Sequence, residues 1–149
     1  MNGSGSCKSI DILLVEDNPA DIELAKEALS ESKLLTSLHT VGDGEAAMMY
    51  LHRQGKYKAA IRPDLIILDL NLPKKDGREV LKEIKEDENL KSIPVVILTM
   101  SSAEVDMLKV YKLHANCFIT KPIDFTQFIS VVHAIEHFWF TIVCLPPKP

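Results

Sequence analysis

Three short apolar runs limit what this chain can fold into more than any other feature. Ile10 to Val15 is broken only by Asp11, Leu65 to Leu68 is wholly aliphatic, and Pro94 to Leu98 is aliphatic after its proline. Each run is too short for a buried helix. Each is apolar at consecutive rather than alternating positions, the pattern of a strand covered on both faces. Pro94 stands at the first position of its run, where a missing N–H is tolerated. Leu38 to Val41 and Cys117 to Ile119 read as two further, weaker strands.

Helical patterns fill the intervals. Asn18 is a suitable N-cap, Pro19 fits a first turn, and Asp21 and Glu23 stand near the positive end of the dipole. Ile22, Ala25 and Leu29 then recur at helical spacing. Gly42 to Gly44 reads as a turn, and Glu45 to Gln54 as a helix that Gly55 ends. Gly77 opens a helix through Val80, Leu81 and Ile84 toward the charged run Lys85 to Glu88. Ala103 to Leu113 is helical, and Asp124 caps a long last helix. Strand followed by helix, five times over, predicts an α/β fold: a doubly wound parallel sheet with helices on both faces.

Composition narrows the function classes. A chain of 149 residues makes one domain, and 46% apolar with 26% charged residues excludes disorder. A net charge of −4 argues against a broad basic surface, hence against direct DNA binding. Cys7, Cys117 and Cys144 are odd in number and scattered, so a disulfide framework is not expected and the chain reads as cytoplasmic. No run approaches the ~18 apolar residues of a membrane span. Residues 1–8, polar and rich in Gly and Ser, are expected to be a flexible lead-in, residues 9–145 a single domain, and residues 146–149 a loose proline-rich tail.

In sheets of this kind function gathers beyond the carboxyl ends of the strands. Glu16 and Asp17 follow the first strand, Asp69 ends the third, Thr99 ends the fourth, and Lys121-Pro122 follows the fifth. Three carboxylates brought together raise at least one pKa or demand a cation. A divalent ion with hard oxygen ligands, most naturally Mg²⁺, resolves that conflict and leaves room for phosphate oxygens. A lysine adds a point charge for a phosphoryl group, and a threonine hydroxyl can donate to it. Such a site could let a carboxylate attack phosphorus and hold the product.

This set, Glu16-Asp17, Asp69, Thr99 and Lys121-Pro122, resembles the receiver domain of two-component response regulators over nearly the whole chain, from about Ser9 to Leu145. The resemblance implies a flavodoxin-like five-stranded sheet of order 2-1-3-4-5. It implies that Asp69 accepts phosphate from a sensor histidine kinase, and that Asp17, Asp69 and the Asn71 carbonyl ligate Mg²⁺ with Glu16 acting through water. Thr99 matches the switch hydroxyl, Lys121 the phosphate-pairing lysine, and Phe118 the aromatic that repositions on activation. A cis peptide is implied before Pro122. The segments Glu16 to Asp21, Arg62 to Asp64, Asp69 to Gly77, Leu113 to Cys117 and Phe138-Trp139 further resemble the stand-alone regulators that accompany phytochrome kinases. That implies a signalling phosphoacceptor without an output domain rather than an enzyme, promoting its own phosphotransfer and slow dephosphorylation. Met100 departs from the small residue usual after the switch threonine, and a longer side chain there could slow hydrolysis.

Plainer readings stand beside these. Asp69 could shape an Asx turn, Glu16-Asp17 could be a solvated pair, Thr99 a β-branched strand end, Lys121 a surface charge and Phe118 a core aromatic. His133 to His137 spells H-x-x-E-H, a zinc-peptidase pattern, but no third ligand follows it. An aspartyl-phosphate phosphatase would need an acid two residues after Asp69, where Asn71 cannot give up a proton. A phosphate-independent docking module on the same fold is the remaining alternative. In the last helix Phe125, Phe128, Ile129, Val132 and Ile135 supply one core-facing stripe. Val131, Phe138, Trp139, Phe140, Ile142, Val143 and Leu145 add apolar surface beyond it, which either folds back on the domain or is covered by a second copy in a homodimer. The dimer is the expectation.

Overall fold

The computed structural model describes residues 10–31, 36–99, 117–120, 130 and 134, and for Thr99 and residues 117–120 it describes the backbone. The expected helix from Ala103 to Leu113, Met100, Lys121-Pro122, the apolar set of the last helix, the His133–His137 pattern and both chain ends lie outside these residues.

Five strands form one sheet: β1 (Ile10–Val15), β2 (Thr36–Val41), β3 (Leu65–Asp69), β4 (Val95–Thr99) and β5 (Cys117–Thr120). Every pairing is parallel and the order is β2-β1-β3-β4-β5, as expected. The helices among the described elements are α1 (Pro19–Ser30), α2 (Gly44–Leu51) and α3 (Gly77–Glu86). The order turns back between β1 and β3, whose register sets Val15 beside Leu68. The carboxyl ends of these two strands are therefore neighbours, and the crevice of an open α/β sheet opens there.

The consecutive apolar residues serve two cores. Ile10, Ile12 and Leu14 of β1 join Leu65, Ile67, Val96 and Leu98 against Ala25, Ala28 and Leu29 of α1. Leu13 and Val15 point the other way and pack with Ile66, Leu68, Val95 and Ile97 against α2 and α3. A period of two along each strand thus feeds both faces, which is why the runs lack polar alternation. Truncating Leu14 or Ile66, both fully buried, to Ala costs ~2–5 kcal/mol.

Two boundaries differ from the sequence reading by more than one residue. β2 begins at Thr36 rather than Leu38, because its ladder runs the full length of β1 and pairs Thr36 with Ile10. α2 spans Gly44–Leu51 rather than Glu45 to Gln54, and Gly55 does not end it. Arg53 takes the left-handed position after the helix, at φ 54°, while Gln54 N–H reaches back to the Met49 carbonyl at 2.9 Å. That closure satisfies the last carbonyls without a glycine. Gly55 instead opens a short 3₁₀ turn, Gly55–Tyr57.

Candidate functional site

The first loop of the site is short and organised by its own helix. Glu16 N–H donates to the Val41 carbonyl at 3.0 Å, extending the β1–β2 ladder one residue past the strand. Asn18 then caps α1, its Oδ1 accepting from Ala20 N–H at 2.8 Å and Asp21 N–H at 3.3 Å, with Pro19 in the first turn. Its own N–H donates to Glu16 Oε2 at 3.1 Å. The chain therefore turns at once. It leaves the Glu16 side chain buried, 1% exposed, and Asp17 at the exposed rim.

The second loop is longer. Asp69 is the last residue of β3, and its side chain is 2% exposed. Asn71 N–H donates to Asp69 Oδ1 at 2.9 Å, and Leu70 N–H continues the ladder to the Leu98 carbonyl at 2.9 Å. The loop returns where Gly77 N–H meets the Leu70 carbonyl at 3.1 Å and Asp76 caps α3 through Arg78 N–H at 2.9 Å. A side chain at Gly77 would set its Cβ 2.3 Å from the Asp69 carbonyl oxygen and 2.6 Å from Leu70 Cα. No atom fits there, so glycine is what lets α3 start directly behind Asp69.

Carboxylate oxygens of Glu16, Asp17 and Asp69 lie within 4.8 Å of one another. Two of the three groups are buried. At that separation an ionised Glu16–Asp69 pair repels by about 3 kcal/mol in a medium of effective dielectric 20. Backbone N–H groups offset part of this, and a hard divalent cation offsets more. An all-oxygen donor set this close together suits such an ion, so the residues present fit the metal that the sequence implies. The three carboxylates named from the sequence are thus brought together. Thr99 ends β4 at the same edge of the sheet, one residue beyond Leu98, the register partner of Asp69, and it pairs with Thr120 of β5. Phe118 pairs with Ile97 in that ladder. Lys121 lies outside the described residues.

Contacts that sequence reading missed surround the second loop. Gly44 and Gly77 are points of steric contact, not merely a turn and a helix start. Lys74 adopts φ 66° and stands 3.8 Å from Asp43, whose side chain also caps α2 through Ala46 N–H at 2.7 Å. Lys75 pairs with Glu83 of α3. Gly-Asp-Gly before the helix and Asp-Gly at 76–77 were the available signals, but they say nothing of which backbone comes close.

The model of the response regulator receiver domain matches residues 12–133 of the chain. The chain belongs to this family. Among curated relatives of this receiver, the response regulator Rcp1 of Synechocystis sp. is 51% identical over 135 residues, covering 91% of this chain and 92% of Rcp1. The crystal structure of RcpA, a phosphorylated cyanobacterial phytochrome response regulator, superposes with a TM-score of 0.80 at 53% identity, covering 94% of this receiver and all of RcpA. A Mn²⁺-bound form of Rcp1 superposes at 0.79 with 50% identity, covering 93% and 99% of the two chains. The fold and the receiver reading of the sequence therefore hold. Among the described residues no helix is long and apolar enough to cross a membrane.

Proposed function

We propose that this receiver takes a phosphoryl group onto Asp69 from the phosphohistidine of a sensor kinase, and that the kinase is a phytochrome. The observation that carries the reading is the buried Asp69 carboxylate, held at the switch point with Glu16 and Asp17 within 4.8 Å. A carboxylate oxygen of Asp69 attacks phosphorus, the P–N bond to the kinase imidazole breaks, and the imidazole leaves with a proton taken from solvent. Asn71 N–H on Oδ1 fixes the carboxylate so that it needs little reorientation to attack. Asp17, Asp69 and the Asn71 carbonyl would hold Mg²⁺ directly, and Glu16 would hold it through water. Bound there, the ion neutralises charge on the carboxylates and on the phosphoryl oxygens. Thr99 and Lys121 complete the site as hydroxyl donor and counter-charge, with Phe118 reporting the change. The likeness to RcpA, a cyanobacterial phytochrome response regulator, supports the choice of kinase. A homodimer through Phe138, Trp139, Phe140, Ile142 and Val143 belongs to the same reading; sedimentation of the whole chain and of one ending at Glu136 tests it, and equal monomeric masses would exclude it.

Incubation with acetyl phosphate and Mg²⁺ tests the chemistry. A receiver accumulates acyl phosphate, a phosphatase turns the donor over without accumulating it, and a docking module does neither.

A further inference from the structure

The Asp69–Gly77 loop does not stand alone at the carboxyl edge. It lies against the start of α2, and the contact is backbone on backbone. A Cβ built on Gly44 would fall 2.1 Å from the Lys75 carbonyl oxygen, 2.8 Å from its carbonyl carbon and 2.7 Å from its Cβ. Roughly 1 Å of displacement is needed to restore ordinary contact, and no flexible side-chain tip is there to yield. Gly42, two residues earlier in the same turn, has nothing within 4 Å of its virtual Cβ. The two glycines look alike in sequence, yet only one is sterically required.

We propose that Gly44 is a positioning residue for the metal site: the missing side chain at the start of α2 seats the loop, and the seat fixes Asn71 against Asp69. This rests on the functional reading above. The loop is held at several points: Leu70 is fully buried and Leu72 packs on the core near its start, Lys75 sits on Gly44, and at the far end Gly77 closes on the Asp69 carbonyl. Lys74, between Asn71 and that seat, takes the left-handed backbone conformation and faces Asp43, the cap of α2. Pushing Lys75 off Gly44 therefore moves a short, tethered segment whose other end carries Asn71, the residue on Asp69 Oδ1. Misplacement of a ligand group by about 1 Å can cost two orders of magnitude in a positioned site. The seat acts through Asn71 and touches no substrate.

The test compares Gly44→Ala, Gly42→Ala and Pro73→Gly with the wild-type chain. Calorimetric titration with Mg²⁺ is made below the unfolding midpoint of each variant, and hydrogen exchange of the Asn71 amide is followed in the metal-free protein. Gly44→Ala is expected to weaken Mg²⁺ binding ~10-fold and to speed Asn71 exchange, and Gly42→Ala to change neither. Pro73→Gly frees the backbone of the exposed tether between Asn71 and Lys75 without adding bulk and is expected to weaken binding several-fold, so the seat stays testable if Gly44→Ala does not fold. A folded Gly44→Ala chain with wild-type affinity and wild-type Asn71 protection overturns the proposal, as does a Pro73→Gly chain unchanged in both. If the wild-type chain itself takes no Mg²⁺, the functional reading fails, and the exchange of Asn71 decides the seat by itself.

Discussion

The two loops that leave the neighbouring ends of β1 and β3 supply the same chemistry by opposite means. The β1 loop needs three residues. Its conformation is written mostly locally, in a cap, a proline and one hydrogen bond from Asn18 back to Glu16, with Glu16 N–H on the Val41 carbonyl as a distant contact. The β3 loop needs seven, residues 70–76, and is held by groups distant in sequence: Gly44 under Lys75, Asp43 facing Lys74 and Leu98 receiving Leu70. The short loop presents its carboxylates once α1 has formed and β1 has paired with β2. The long one presents Asp69 and Asn71 only once α2, α3 and β4 have packed, so the Asp69 geometry draws on more of the tertiary structure than the β1 carboxylates do.

Substitutions on each side sharpen or break this contrast. The largest effect is expected at Gly77, where a methyl group would meet the backbone of Asp69 and Leu70. Gly77→Ala should destabilise the fold by ~3 kcal/mol, read by urea unfolding. A loss below ~1 kcal/mol would mean that the long loop shifts freely, and the contrast would fail. Next comes Asp17→Ala, which would remove one of the two proposed direct carboxylate ligands and should weaken Mg²⁺ binding ~10-fold or more without lowering stability. Glu16→Ala should cost less affinity, because in the proposed site it would act through a water. Equal Mg²⁺ affinities in the two variants would contradict the assigned roles. The smallest effect belongs to Asn18. Asn18→Ala removes a cap and should cost ~1 kcal/mol in thermal or urea unfolding, with Mg²⁺ affinity nearly unchanged, since the β1 ladder holds Glu16 independently.

The same contrast explains what could be read in advance. The strands were legible because burial on both faces leaves a continuous apolar run, and the strand ends then pointed to Glu16, Asp17 and Asp69. The cap at Asn18 was legible because capping is a matter of adjacent residues. Gly44 was not, since its neighbour Lys75 is thirty-one positions away in the numbering and nothing local distinguishes Gly44 from Gly42. The end of α2 was misplaced for a related reason. Gly55 is the ordinary residue for a left-handed closure, but the hydrogen bonds of Arg53 and Gln54 to Tyr50 and Met49 close the helix earlier. The start of β2 was late because Thr36 and Ser37 are polar and enter the ladder only through pairing with β1.

The central claim is that Asp69 is the phosphoacceptor of a metal-assisted site. Intact-mass spectrometry of the wild-type chain and of Asp69→Asn, each incubated with Mg²⁺ and acetyl phosphate, tests it most directly. The substitution is nearly isosteric, and it relieves repulsion with Glu16, so the variant should stay folded with an unfolding midpoint at or above that of the wild type. The expected result is one phosphoryl group on the wild-type chain, lost on treatment with hydroxylamine, and none on Asp69→Asn. A folded Asp69→Asn chain that takes up hydroxylamine-labile phosphate at the wild-type stoichiometry would contradict the account.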